Sequence, residues 1–141
     1  MILYLDTSSL VKLYTEEEGS PDVANLVRSS KVTGTSLVAY AEARAAFARR
    51  FRENAFTQRE YGRLILSFEE DWDNYLIIRV TKELVRLAGG LAEKHGLRGF
   101  DAIHLSSAVT LHKELDTPII FSCFDEKLEA ASQLEELDQP E

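Results

Sequence analysis

The sequence predicts an α/β fold with a central, mostly parallel sheet. Two observations indicate this class: short apolar runs alternate with helical segments, and no repeat, low-complexity tract or Pro/Gly-rich linker divides the 141 residues. Strands that alternate with helices are typical of parallel sheets. The length suits one domain, so we expect residues 1–141 to form a single unit.

The first half of the chain predicts strands at 2–5 and 32–35, each followed by a helix. Ser20-Pro21 indicates a further helix start, because proline is favoured at the first helical position. We expect Ser36 to cap an Ala-rich helix from 37 to about 54. The segment Thr57-Gln58-Arg59-Glu60 matches a capping box and predicts a helix that ends near 74.

The second half predicts strands at 76–80 and 118–122. Thr81 caps a predicted helix that Gly96 ends, and further helices are expected from Asp101 to about 115 and over 125–134. Gly89-Gly90 inside the first of these helices costs about 1 kcal/mol per glycine, which suggests close packing or a kink. Residues 134–137 are expected to form a short edge strand.

The composition limits the classes of partner. No apolar run approaches the length of about 20 residues that a membrane span needs, and the first residues lack the pattern of a signal peptide. The single cysteine, Cys123, fits a reducing compartment, so we expect a cytoplasmic protein with no membrane partner. A net charge of −8 argues against simple electrostatic binding of nucleic acid. Either nucleic acid is not the partner, or the acids cluster where cations neutralise them.

Four acidic residues lie in apolar sequence, unlike the others, which suit solvated helix faces. Asp6 follows a predicted strand directly, and Asp125 follows the apolar run 118–124. Asp101 and Glu42 lie near the starts of predicted helices. Parallel sheets bind ligands outside the carboxyl ends of their strands. Two carboxylates 4 Å apart repel by about 4 kcal/mol at an effective dielectric constant of 20. A divalent cation removes that cost, and oxygen-only ligands favour Mg²⁺ or Mn²⁺ over zinc.

Such a metal site suits phosphodiester hydrolysis, because the metal can activate a water and stabilise the leaving oxygen. Structural alternatives remain open for each acid. Asp6, Asp101 and Asp125 are also suited to cap helix N-termini. Glu42 is placed to pair with Arg44 or Arg49.

Together the four acids lie in segments that resemble the PIN-domain nucleases, with VapC-type toxins of bacterial and archaeal toxin–antitoxin modules as the closest match. The resemblance covers essentially the whole chain, and it is carried by Asp6-Thr7-Ser8, by Glu42 on its Ala-rich helix, by Arg98-Gly99-Phe100-Asp101-Ala102-Ile103-His104-Leu105 and by Phe121-Ser122-Cys123-Phe124-Asp125-Glu126-Lys127-Leu128.

The resemblance implies a PIN-like three-layer α/β/α sandwich with a central, mostly parallel sheet. It implies a Mg²⁺- or Mn²⁺-dependent endoribonuclease that hydrolyses RNA phosphodiester bonds, the toxin of a type II toxin–antitoxin system. A homodimer and a cognate antitoxin are the implied protein partners. The four acids match the family's acidic positions; Asp6 and Asp101 match its usual metal ligands, and Ser8 matches a hydroxyl that helps to arrange the site. Many members carry Thr or Ser where this chain has Cys123, and the neighbouring Ser122 is a candidate replacement.

Two further residues are candidates from their spacing. Arg49 lies seven residues after Glu42, nearly on the same helix face and about 10 Å along the axis. It therefore suits binding of a neighbouring RNA phosphate or, alternatively, stabilisation of the helix C-terminus. His104 shares a helix face with Asp101, and we expect a hydrogen-bonding role near the site rather than a catalytic base.

The sequence argues against two rival functions and leaves one alternative. A response-regulator receiver needs an Asp after its third strand, where this chain has Thr81-Lys82. A haloacid-dehalogenase phosphatase needs an Asp at position 8, which is Ser. A catalytically silent PIN scaffold that binds RNA or a partner protein remains the alternative function, and the presence of all four acids argues against it.

Overall fold

The computed structural model describes residues 1–141 and contains one four-stranded sheet. The strands are β1 (Ile2–Leu5), β2 (Val32–Ser36), β3 (Leu76–Ile78) and β4 (Ile119–Ser122). Their order in the sheet is β3-β2-β1-β4, and every neighbouring pair is parallel. The predicted sheet is therefore confirmed, and it is parallel throughout.

Seven helices connect and follow these strands. They are α1 (Thr7–Val11), α2 (Ser20–Ser29), α3 (Val38–Arg52), α4 (Gln58–Trp72), α5 (Lys82–His95), α6 (Gly99–Leu115) and α7 (Glu126–Leu134). None of them is long and apolar enough to cross a membrane.

Helices cover both faces of the sheet. Successive side chains of a strand point to opposite faces, so apolar residues of β1 contribute to a core on each side. Leu3 and Leu5 of β1 pack into a core with helices α1 to α4. Tyr4 faces the other way, into a core with Phe121 of β4 and helices α5 to α7. These two cores on opposite sides of one sheet make the three-layer α/β/α sandwich that the family resemblance implied.

Local signals place several helix ends where the sequence predicted them. The Thr57 and Glu60 side chains form both bonds of the capping box at the start of α4. The Thr81 hydroxyl accepts from the Leu84 N–H at the start of α5. Gly96 ends α5 with φ +67°, a left-handed conformation that favours glycine.

Three details differ from the prediction. Ser36 is the last residue of β2 and not the N-cap of α3, which is Leu37, although the Ser36 hydroxyl accepts from the Val38 N–H at 3.3 Å. Residues 79 and 80 lie outside β3. A Cβ added at either Gly89 or Gly90 would meet no atom within 4 Å, so close packing does not require these glycines, and the alternative of a kink stays a prediction.

The edge strand predicted over 134–137 is wrong. Residues 135–136 form a turn after α7, and Asp138 makes a single parallel bridge to Ile120 of β4. Its backbone donates to the Ile119 carbonyl and accepts from the Phe121 N–H. The C-terminal segment therefore covers the outer edge of β4, where backbone groups would otherwise be unpaired.

Candidate active site at the carboxyl edge of the sheet

Asp6 lies at the junction of β1 and α1, where the strand ends and its carboxylate caps the helix. Its Oδ1 accepts from the Ser9 N–H at 3.0 Å and from the Ser8 hydroxyl at 2.7 Å. The residue is only 5% exposed. Two neighbours therefore hold one carboxylate oxygen, and Ser8 has the contact expected of a hydroxyl that arranges this acid.

The buried Asp6 carboxylate has no Lys or Arg partner in the structure. Burial raises its pKa above the ordinary range, and the charge of Asp101 adds to that rise, while His104 and the hydrogen bonds from Ser8 and Ser9 oppose it. Buried charges in proteins are normally paired or bound to metal ions. Asp6 therefore has the surroundings of a cation ligand, and Asp101 lies close enough to act on the same charge.

Glu42 lies in the second turn of α3 and points back towards the start of α1. Its Oε1 accepts from the Thr7 hydroxyl at 2.5 Å and lies 2.9 Å from Nε2 of His104. Burial acts to raise the pKa of Glu42, but the hydrogen bonds from His104 and Thr7 outweigh it and hold the pKa below its usual value. The carboxylate is thus fixed in position and kept ionised.

The structural alternative in which Glu42 pairs with Arg44 or Arg49 does not occur. Arg44 pairs with Glu69 of α4 at 3.1 Å. Arg49 pairs with Glu53 one turn further along the chain at 3.6 Å, and its side chain is 74% exposed. Arg49 contacts none of the four acids. Its contact with an RNA phosphate stays a prediction.

His104 connects the interior of the sheet to the acidic edge. It is 2% exposed. Its Nδ1 lies 2.8 Å from the Tyr4 hydroxyl, and its Nε2 lies 3.0 Å from the Thr7 hydroxyl as well as near Glu42. The geometry agrees with the expected hydrogen-bonding role, since a ring held on both nitrogens can orient a neighbouring carboxylate.

Asp101 and Asp125 are brought together by an arginine that the sequence analysis missed. Nε of Arg98 donates to Oδ2 of Asp101 at 3.2 Å, and its Nη2 lies 3.7 Å from Oδ2 of Asp125. Asp125 also caps α7, because its Oδ1 accepts from the Lys127 and Leu128 N–H groups. Asp101 lies in the first turn of α6 and is not its N-cap, which is Arg98. The spacing of three residues between Arg98 and Asp101 was the available signal.

The residues around Cys123 have structural contacts. Burial raises the pKa of the Cys123 thiol to about 12, so it is protonated near neutral pH. Ser122 is buried, and its hydroxyl bonds to the hydroxyl of Ser9 at 2.9 Å. That bond links the end of β4 to α1 and holds the two sides of the site together.

The side chains, as they lie, form no group of three acids, histidines or cysteines able to hold a metal ion. The pair Asp6 and Asp101 still fits the donor chemistry of Mg²⁺, which binds proteins through one or two carboxylates and keeps several waters. Glu42 is tied to His104, and Asp125 to Arg98. The four acids therefore share one edge of the sheet without converging on one point.

A family model described as the PIN domain matches residues 3–134 of this chain. The chain belongs to the PIN domain family. Ribonuclease VapC45 of Mycobacterium tuberculosis is 33% identical over 127 residues, which is 90% of this chain and 86% of that protein. The curated relatives thus extend over nearly the whole PIN domain described above.

Two solved structures share the fold of this PIN domain. VapBC2 from Rickettsia felis, bound to a DNA fragment from its promoter, aligns with a TM-score of 0.64 at 13% identity, covering 99% of this chain and 97% of that one. FitAcB from Neisseria gonorrhoeae aligns with a TM-score of 0.65 at 15% identity, covering 100% and 97%. At such low identity the likeness concerns the fold alone.

Proposed function

We propose that this PIN domain is an endoribonuclease, the toxin of a type II toxin–antitoxin pair, and that it hydrolyses RNA phosphodiester bonds with Mg²⁺ or Mn²⁺. One observation carries the proposal: Asp6 is a buried carboxylate without a basic partner, and it lies at the ligand-binding edge of the sheet within the field of Asp101. The relatives named ribonucleases support the reaction class.

Asp6 and Asp101 are the principal proposed metal ligands, and Glu42 and Asp125 are proposed to join them at the metal site. When bound, the cation would lower the pKa of a water and stabilise the leaving oxygen of the phosphodiester. The Ser8 hydroxyl and the Ser9 N–H orient Asp6. Such fixed donors matter because metal ligands depend on the groups that orient them.

Glu42 is the proposed residue that receives a proton from the attacking water. It is held ionised by the Thr7 hydroxyl and His104, so it can accept a hydrogen bond near neutral pH. Tyr4 fixes the opposite nitrogen of His104 and thereby the ring orientation. Thr7, His104 and Tyr4 are therefore positioning residues for Glu42, and in this proposal they make no contact with the substrate.

The proposed partners are RNA, a cognate antitoxin and a second copy of the chain. The antitoxin is supported by a third solved structure of similar fold, a toxin–antitoxin complex from Klebsiella pneumoniae that aligns with a TM-score of 0.55 at 14% identity, covering 84% of this chain and 83% of that one. The net charge of −8 is suited to attract a basic antitoxin segment. Arg49 is a proposed RNA-phosphate contact, because its exposed guanidinium has one weak partner, Glu53.

A second function has one observation in its favour. The acids do not form a group of three metal-binding side chains as they lie. A catalytically silent PIN scaffold that binds RNA or a protein would have no need of such a group. The RNA-cleavage experiment described next distinguishes this scaffold from the proposed nuclease.

The test is the substitution Asp101→Asn, assayed for cleavage of single-stranded RNA in Mg²⁺ and in Mn²⁺. Asp101 does not cap its helix, so the variant should keep the parental far-UV circular dichroism while cleavage falls by orders of magnitude. Asp73→Asn is the matched control, because Asp73 is exposed and ends α4 just before β3 begins, at the opposite edge of the sheet. An Asp101→Asn variant that cuts at the parental rate overturns the assignment. A parent that binds RNA without cutting it favours the silent scaffold.

A further inference from the structure

Arg98 is placed so that its side chain serves the acidic site and not the fold. It is the N-cap of α6, but it makes no side-chain capping bond, and the side chain is 83% exposed. Its guanidinium contacts Asp101 and Asp125, which belong to two different helices. No other basic side chain pairs with either carboxylate.

The Arg98 contacts use oxygens that a divalent cation would otherwise reach. Oδ1 of Asp125 is already held by the Lys127 and Leu128 N–H groups, so Oδ2 is the oxygen left for a cation, and Arg98 lies 3.7 Å from it. The same guanidinium donates to Oδ2 of Asp101. A cation bound at these two Oδ2 atoms therefore competes with the guanidinium for the same oxygens.

The guanidinium can leave at low cost. Exposed ion pairs contribute little to stability, and a long arginine side chain regains rotamer freedom when it is released. A cavity of about 260 Å³ lies beside it, with Arg98, Asp101, Asp125 and Lys127 in its wall. Once the acids hold a cation, the Arg98 guanidinium is free to face an anion in the cavity, beside Lys127, whose ammonium donates to the Gly96 carbonyl.

We propose that Arg98 is an internal counter-ion that a divalent cation displaces from Asp101 and Asp125, and that the released guanidinium then binds a phosphate group of the substrate. The inference rests on the proposed metal-dependent nuclease and adds a substrate-binding residue to it. Arginine suits both roles, because its planar donors match carboxylate and phosphate oxygens equally.

The first measurement is Mn²⁺ affinity by calorimetry on the full chain, parent against Arg98→Gln. Loss of the competing charge should tighten Mn²⁺ binding by about two- to five-fold, a modest gain because exposed pairs are weak. Arg28→Gln is the matched control, since it makes the same change in net charge on the exposed end of α2, at the opposite edge of the sheet. Its Mn²⁺ affinity should equal that of the parent.

The second measurement is the affinity for uridine 5′-monophosphate, which offers a phosphate but no phosphodiester bond to cut. In saturating Mg²⁺, Arg98→Gln should bind it about three- to ten-fold more weakly than the parent, because a charge-assisted hydrogen bond is lost. In chelator the difference should shrink, since the parental guanidinium is then engaged by Asp101 and Asp125. Arg98→Lys should keep part of the phosphate affinity.

The proposed role predicts that Arg98→Gln binds Mn²⁺ more tightly than the parent and uridine 5′-monophosphate more weakly. Arg98→Gln with unchanged Mn²⁺ affinity overturns the counter-ion role, and a phosphate-binding loss that is equal in chelator and in Mg²⁺ overturns the linkage between them. A parent that binds no Mn²⁺ instead contradicts the proposed metal-dependent function. The two failures are therefore distinguishable.

Discussion

Asp6→Asn tests the metal site most directly, because it removes a buried charge while keeping the shape of the side chain. In the parent the carboxylate is 5% exposed, has no basic partner and is repelled by Asp101. The asparagine carbonyl oxygen can still accept from the Ser8 hydroxyl and the Ser9 N–H. We therefore expect the variant, in chelator, to melt at or above the temperature of the parent.

The metal-dependent part of the experiment has a calculable size. A cation that binds only the folded state at about 100 times its dissociation constant stabilises the protein by roughly 2.7 kcal/mol. For a domain of this size that is a rise in melting temperature of about 5–10 °C. Asp6→Asn should lose most of this rise, since one of the two principal ligand charges is gone.

Thermal scans by circular dichroism in chelator and in saturating Mn²⁺ provide the four melting temperatures that the comparison needs. Asp73→Asn, the exposed control at the opposite sheet edge, should show the full parental rise. A variant that is destabilised in chelator yet still stabilised by Mn²⁺ would mean that Asp6 acts only as the cap of α1. That result would refute its role as a metal ligand.

Two further predictions concern charges outside the central acids. Arg49→Ala should weaken RNA binding and lower its salt dependence by about one phosphate contact, measured by fluorescence anisotropy across a salt series; an unchanged slope would leave Arg49 as a partner of Glu53 alone. Glu135→Gln should lower the free energy of unfolding at pH 7 by up to about 1 kcal/mol, because hydrogen bonds from Lys94 and His95 hold the pKa of Glu135 low. A depressed folded-state pKa stabilises above the unfolded-state pKa, so urea titrations should show the difference vanish as the pH falls through the folded-state pKa. A difference that persists at the acid end would contradict the linkage.

Most of the fold was predictable because local signals carry it. The Thr57 capping box and the Thr81 cap each act within four residues, and Gly96 ends its helix through its own conformation. The order of strands and helices then favours a parallel sheet. The prediction for Ser36 holds only in part: its hydroxyl accepts from the Val38 N–H, but its backbone pairs in β2, where Ser36 lies opposite Ile78.

The role of each acid was less predictable than its position. Asp6 and Asp125 do cap helices, and Asp101 does not. Capping leaves one oxygen of Asp6 without a protein donor, so the cap and the proposed metal ligand are compatible roles. A sequence pattern cannot distinguish a helix cap from a metal ligand, because both roles favour an acid between the end of a strand and the start of the next helix.

By itself, the sequence determined the α/β class, the order of the elements and membership of the PIN domain family, since these depend on local periodicity, caps and motifs spread along the whole chain. Only the tertiary structure decided that His104 holds Glu42 across 62 residues and that Arg98 joins Asp101 to Asp125. Such contacts depend on how helices pack on the sheet and which side chains meet at its carboxyl edge. The site's electrostatics follow from that packing, because burial and neighbouring charges set the pKa values of Asp6 and Glu42.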